Sequence, residues 1–257
     1  LDGIVMGGGA GLMFASTFKI ATERTRFAMP EIGVGLFPDV GFTSVIKDLP
    51  KGLGLYIMLT ASQLNASDMR FCNLVDSCLS YTKMQDFLLD VLEVAWQDDV
   101  NENLALLDPI LKRSSYLKEV ENFPSSKVEG ELEKIQSMTN EDNLIKIVDN
   151  IMGHTIEDEW FTRGKESLMK GSPTSAHLIW LQHLNSSNLS LKEVFNFELN
   201  LAIQITRIGD FKEGIRALII DKDNKPKWKY DSIKNVQQAW IDKHTDLAWE
   251  INPLEDL

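Results

Sequence analysis

Cysteine is nearly absent from the chain. Its 257 residues hold two, Cys72 and Cys78. A lone pair with five residues between its members builds neither a disulfide framework nor a zinc ribbon, and reads as two buried thiols in a reducing compartment. Positive charge is also scarce: 26 Lys and Arg stand against 38 Asp and Glu, a formal net charge of −12. Such a chain lacks the positive field needed for nonspecific binding to nucleic acid or to an anionic membrane surface. A small anionic ligand stays open, because a helix N-terminus and a few local bases hold phosphate whatever the global charge. No apolar run approaches the ~18 residues of a membrane span. The four histidines, His154, His177, His183 and His244, show no metal-ligand spacing with Asp, Glu or Cys, and no metal site is expected. The chain carries neither a G-x-G-x-x-G register with a downstream ribose acid nor a Gly-Lys-Ser/Thr phosphate loop.

What is present is 44% apolar and 25% charged, the balance of a globular protein large enough to bury a sizeable core. Glycine is uneven, with ten of the sixteen in the first 80 residues. That region reads as short strands and helices joined by tight turns, an α/β texture. Gly3–Met6 is a short buried strand, and Leu12–Ala15 opens a helix. Phe18–Thr22 and Arg26–Met29 are strands joined by a polar turn. Val40–Lys47 and Leu53–Leu59 are helices, and Leu79–Tyr81 returns as a strand. From about residue 82 the chain becomes a series of amphipathic helices. Segments 85–96, 140–151 and 156–169 have helical spacing. Ser172-Pro173 is a cap followed by a first-turn proline, and Ser190 and Asp210 are caps of two further helices. The acidic run Glu157-Asp158-Glu159 reads as a solvated helix start. The six tryptophans fall in or beside helices and are expected to pack the core.

Two features carry chemistry. Gly7-Gly8-Gly9 stands between a strand and a helix, where free backbone N–H groups and the helix dipole converge and no Cβ blocks a ligand. Glu31 follows the apolar run Phe27-Ala28-Met29-Pro30, so its carboxyl is expected to be desolvated and raised in pKa. Asp39 comes eight residues later between Phe37-Pro38 and Val40-Gly41. Two carboxylates held apart by a glycine-containing connection can divide acid, base or nucleophile roles.

The run Leu1-Asp2-Gly3-Ile4-Val5-Met6-Gly7-Gly8-Gly9-Ala10-Gly11-Leu12, with Ala21-Thr22-Glu23, Phe27–Glu31 and Gly35–Gly41, resembles the crotonase (enoyl-CoA hydratase/isomerase) superfamily. Ser172–Ser175, Asp210–Ala217, Ile220–Asp223 and Pro226–Trp228 extend the resemblance in collinear order over essentially the whole chain. It implies an α/β fold with a ββα spiral core, here residues 1–81 and incomplete at its N-terminal side. A helical region, 82–257, covers the site and mediates subunit contact. It further implies an acyl-CoA substrate, with CoA entering as part of the substrate and no other cofactor. Gly8 matches a position that donates one N–H of an oxyanion hole, and Glu31 and Asp39 match the key carboxylates of the hydrolase branch.

Hydratases of the superfamily carry a Glu where this chain has Gly11, and a Pro-Gly-x-Gly-Gly turn where it has Pro38-Asp39-Val40-Gly41. One acid is lost and another gained, which suits thioester hydrolysis, of 3-hydroxyisobutyryl-CoA in valine breakdown, better than hydration. Glu31 would attack the carbonyl or activate water; Asp39 would bind the substrate hydroxyl or serve the leaving group. A hydratase or isomerase activity, and a non-catalytic scaffold subunit, are the alternatives. The resemblance places the second oxyanion donor upstream of Leu1, so the natural polypeptide is expected to extend further and this chain alone to be poorly folded and inactive, with the upstream segment a possible partner. A homo-oligomer in bacterial cytoplasm or mitochondrial matrix is the expected setting.

Overall fold

The computed structural model describes residues 1–112 and 123–255. Among them are five two-residue strands, β1 Ile4–Val5, β2 Ile20–Ala21, β3 Arg26–Phe27, β4 Leu64–Asn65 and β5 Ser77–Cys78. Thirteen α-helices accompany them: α1 Gly8–Ala15, α2 Phe42–Val45, α3 Leu53–Thr60, α4 Ala66–Phe71, α5 Met84–Leu92, α6 Val100–Leu111, α7 Lys127–Thr139, α8 Leu144–Gly153, α9 Glu159–Lys170, α10 Pro173–Asn185, α11 Leu191–Ile208, α12 Phe211–Ile215 and α13 Gln238–Thr245. The chain divides into two compact units. One comprises Leu1–Val5, Leu12–Phe27 and Leu64–Glu131; the other comprises Met6–Gly11, Ala28–Gln63 and Leu132–Leu257.

The first unit holds the strands. β1 pairs in parallel with β3, β3 antiparallel with β4, and β2 in parallel with β5. The polar turn after β2, closed by Thr25 N–H on the Thr22 carbonyl at 3.0 Å, therefore joins strands of two different sheets. The return strand is Ser77–Cys78, two residues earlier than the sequence suggests, and Tyr81 instead opens a 3₁₀ turn. Asp68 is 1% exposed and fully partnered. It accepts from Asn65 N–H, closing the capping box of α4, and from Ser126 and Val128. Leu79, Phe87 and Ile110 form a small core with Phe18, Ile20 and Val91 packed against it.

The second unit is built around α3. All eight of its residues are buried, as expected of a helix that is apolar on every side. α9 and α10 pack on it. Asp158 caps α9, Ser172 caps α10 with Pro173 in its first turn, and Ser190 with Glu193 forms a capping box on α11. Asp210 precedes α12 without a capping bond; its carboxylate is used elsewhere. α12 continues into a π-turn, Arg216–Ile220.

The tryptophans do not fill the core. None of the six is buried. Each indole N–H needs an acceptor, and three of them find one at the margin: Trp160 on the Gln63 carbonyl, Trp228 on the Lys170 carbonyl and Trp240 on the Thr174 hydroxyl. Cys72 and Cys78 are free and buried. No helix among the described residues is long and apolar enough to cross a membrane.

Candidate active site

β1 runs through Met6 and Gly7 into α1. Gly7 has φ +51°, which bends the chain so that Gly9 N–H reaches the Met6 carbonyl at 3.1 Å and Ala10 N–H reaches the Gly7 carbonyl at 2.9 Å. Gly11 N–H also bonds to Gly7, at 3.3 Å. The sequence suggests a cluster of free donors here; the turn ties up those of Gly9, Ala10 and Gly11. Gly8, which is exposed, keeps an N–H without an acceptor among the described residues. A Cβ built on Gly8 or Gly9 would meet nothing within 4 Å. The space beside the donor is open, as approach by a ligand to backbone requires.

Glu31 begins a 3₁₀ turn, Glu31–Val34, closed by Gly33 N–H on the Pro30 carbonyl and Leu36 N–H on the Glu31 carbonyl, both at 3.0 Å. The side chain is 7% exposed. Burial pushes its pKa up from 4.5 to about 8, helped by the charge of Asp39 and partly offset by a bond to its own backbone N–H. Its Oε2 is buried without a hydrogen-bond partner. The residue borders a cleft of about 470 Å³, lined also by Ile32, Val34, Leu218 and Pro226.

The far end of the sequence braces this turn. Ser172 N–H bonds to the Ile32 carbonyl at 3.0 Å. Asp210 accepts from the Ser172 hydroxyl at 2.6 Å and from Lys229 N–H at 2.8 Å. Two glycines allow the elements to touch. A Cβ on Gly214 would lie 2.0 Å from the Val34 carbonyl oxygen, and one on Gly35 (φ +71°) would lie 2.7 Å from the Asp210 backbone. The second block of motif residues thus holds the first acid in place.

Asp39 is partly buried, and burial raises its pKa. It starts a turn closed by Phe42 N–H on the Asp39 carbonyl at 3.0 Å. Both central residues have positive φ, +55° at Val40 and +82° at Gly41, the pattern of a type I′ turn. For a β-branched residue this is a strained conformation. Val40 packs against Gly11, where a Cβ would come within 3.0 Å of the Val40 Cβ. Val40 therefore crowds the position at which a hydratase would carry its acid.

Two residues with no motif of their own also touch this turn. Gln182 donates to the Pro38 carbonyl and to the Thr43 hydroxyl. Glu198 is 4% exposed and accepts from Gly41 N–H at 2.7 Å and Thr43 N–H at 3.0 Å. Burial pushes its pKa up to about 6, and Asp39 adds to the rise. Sequence reasoning missed both. A signal existed: Glu198 stands in register with the buried Val194, Leu201 and Ile205 of α11, and Gln182 with Leu178 and Ile179 of α10. A polar residue in a core register demands a buried partner. The histidines stand in other roles; His177 and His244 meet the carbonyls of Ile233 and Trp240.

Gly8, Glu31, Asp39, Gln182 and Glu198 all belong to the second unit. Its inventory is one open N–H donor, one carboxyl largely protonated at neutral pH, and a second carboxyl within electrostatic reach of the first. Such a set can polarise a carbonyl and move a proton beside it.

Solved structures place the architecture in the crotonase class. The chain aligns over its full length with 69% of a carnitinyl-CoA dehydratase from Mycobacterium thermoresistibile, at a TM-score of 0.81 and 24% identity. It also aligns over 96% of its length with 66% of an enoyl-CoA hydratase from Rhodobacter sphaeroides, at a TM-score of 0.77 and 22% identity. At these identities the likeness is one of fold. The enoyl-CoA hydratase/isomerase family matches residues 1–245, and the chain belongs to that family. Among its relatives, the mitochondrial 3-hydroxyisobutyryl-CoA hydrolase of Xenopus laevis is 33% identical over 242 residues, 94% of this chain. The enzyme of the same name from Homo sapiens is 32% identical over 246 residues, 95% of this chain. The chain spans 61% of the length of each of these relatives.

Proposed function

We propose that this chain carries the carboxylate machinery of an acyl-CoA thioester hydrolase acting on 3-hydroxyisobutyryl-CoA, with 3-hydroxyisobutyrate and free CoA as products. The observation that carries the reading is Glu31: a buried carboxyl with an unpartnered oxygen, in the same unit as the open Gly8 N–H. The names of the relatives support the substrate, and their mitochondrial setting supports a matrix location.

In this scheme the thioester oxygen accepts from Gly8 N–H, which stabilises the charge that develops as the carbonyl carbon becomes tetrahedral. The ionised fraction of Glu31, a minority at neutral pH that grows as the pH rises toward about 8, takes a proton from water as the water oxygen bonds to that carbon. Its raised pKa makes it a stronger base than an exposed carboxylate. The tetrahedral intermediate collapses, the C–S bond breaks, and the thiolate of CoA receives the proton. Asp39 accepts a hydrogen bond from the substrate hydroxyl. CoA is part of the substrate, and the scheme uses no further cofactor. The packing of Val40 against Gly11 disfavours the hydratase alternative, which needs a carboxylate there.

The test is thiol release from 3-hydroxyisobutyryl-CoA, with hydration of crotonyl-CoA followed in parallel. Measured on the polypeptide with its upstream segment included, rapid thiol release is expected, and Glu31→Gln should reduce it by about 10²-fold or more. Near-normal release by that variant ends the proposal. Hydration without thiol release moves the chain to the hydratase branch. Neither activity, with no binding of a CoA ester, leaves a scaffold subunit. In ¹⁸O-water, label should appear in the product acid alone; label in Glu31 after a single turnover would make it the nucleophile.

A further inference from the structure

The reactive arrangement rests on a turn that its own sequence does not favour. In type I′ geometry both central residues need positive φ, and Asn-Gly is the pair that adopts it readily. Here the pair is Val40-Gly41. A valine at φ +55° is strained, and an unsupported turn would relax by moving Val40 to negative φ. That relaxation would swing the Asp39 side chain and withdraw Val40 from Gly11 of α1. Something outside the turn must hold it.

The support comes from α11 and α10. The Glu198 carboxylate spans the turn residue Gly41 and the first turn of α2, with one oxygen on Gly41 N–H and the other on Thr43 N–H. Phe195, one turn earlier on α11, closes over Gly41: a Cβ there would lie 3.3 Å from its ring. Gln182 grips the other side at the Pro38 carbonyl. Thr43 links the two, because its hydroxyl receives the Gln182 amide and also bonds to Glu198. A buried carboxylate that accepts two backbone N–H groups is well suited to this task. It satisfies two donors with one rigid group and cannot be displaced by water.

We propose that Glu198 is a positioning residue for Asp39: by bridging Gly41 and Thr43 it holds the strained Asp39–Phe42 turn, and with it the Asp39 carboxylate, in the working conformation. The proposal rests on the hydrolase reading above for its kinetic consequence, but its structural claim does not depend on it. Glu198 itself touches no substrate in this scheme. Asp39 and the α1 N-terminus are coupled through Val40 and Gly11, so one carboxylate on a distant helix sets two parts of the site at once.

The test is a double-mutant cycle with a rescue. Glu198→Gln keeps the shape but leaves one of the two N–H groups without an acceptor. It should lower kcat for thiol release about 10-fold while KM changes less than about twofold. Asp39→Asn should lower kcat on its own, and adding Glu198→Gln to it should cost less than about twofold more, because the lost effect runs through Asp39. Val40→Asn supplies the Asn-Gly pair that the turn prefers, and in the Glu198→Gln background it should recover much of kcat.

A second readout needs no activity: backbone chemical shifts of residue 40 report its φ. They should leave the left-handed range in Glu198→Gln and return to it in Glu198→Gln/Val40→Asn. Should Glu198→Gln not fold, Thr43→Val, which removes only the bridging hydroxyl, enters the same cycle. Equal kcat losses in both backgrounds, or unchanged residue-40 shifts, would overturn the proposal. A wild-type protein without thiol release would instead defeat the hydrolase reading, with the shift measurement still deciding the role of Glu198.

Discussion

Glu31 should make the protein less stable as the pH rises, and replacing it should remove that loss. Its carboxyl titrates at about 8 in the folded chain and at 4.5 when unperturbed. Below pH 4.5 both states bind the proton, and burial of the neutral acid carries no charge penalty. Between 4.5 and about 8 the folded state keeps a proton that the unfolded chain has released. Stability therefore falls with rising pH, by about 1.4 kcal/mol per pH unit. The accumulated loss is about 3 kcal/mol at pH 7 and about 5 kcal/mol above pH 8.

Glu31→Gln is nearly isosteric and never ionises. Its unfolding free energy should match the wild type near pH 4.5 and exceed it by roughly 5 kcal/mol at pH 8.5, or roughly 10–20 °C in Tm for a chain of this size. Asp39 and Glu198 also have raised pKa values and slope the same way, but they are present in both proteins and largely cancel in the difference. Urea unfolding followed by tryptophan fluorescence at pH 5, 7 and 8.5 measures it. Parallel stability curves for the two proteins across that range would show that Glu31 is not the desolvated acid described here. A gain in stability together with a loss of thiol release would mark Glu31 as a residue kept for function at the expense of the fold.

Three further outcomes follow from the packing. Gly8→Ala meets nothing within 4 Å, so its Tm should stay within about 2 °C of wild type while kcat/KM for the CoA ester falls; an unchanged kcat/KM would remove Gly8 from the site. Gly214→Ala drives a Cβ to 2.0 Å from the Val34 carbonyl oxygen and should cost at least about 3 kcal/mol, read by thermal unfolding; a neutral substitution would mean that α12 does not brace the Glu31 turn. Gly11→Glu restores the acid of the hydratase pattern but presses on Val40, so it should destabilise by about 1–3 kcal/mol without creating crotonyl-CoA hydration; appearance of that activity would refute the steric argument.

The parts of the site legible in the sequence are those whose chemistry is local. A strand, three glycines and a helix are adjacent in the chain, so the donor loop follows from neighbouring residues alone. Glu31 sits after an apolar run, and its desolvation can be read from that run. The rest depends on distance along the chain. Glu198 lies 157 residues from Gly41, and Gln182 lies 144 from Pro38; no local pattern pairs them. Asp210 looks like a cap because it precedes a helix, but Ser172 and Lys229 claim its carboxylate. The tryptophans look like core because they are large, yet the indole N–H groups of Trp160, Trp228 and Trp240 find their acceptors at the margins. Two-residue strands are too short for an alternating pattern to define their ends, which explains the displaced return strand.

The brace on the Glu31 turn has a consequence in time. Glu31 and Asp39 emerge from the ribosome well before Ser172, Asp210 and Lys229, which complete the support. At about 5–20 residues per second, roughly 10–40 s separate Asp39 from Lys229. Throughout that interval the acid has no fixed place, and contacts of such large sequence separation close slowly afterwards. In a growing chain the Glu31 turn is therefore unbraced until the segment through Lys229 has been synthesised, and that segment completes the assembly of the site.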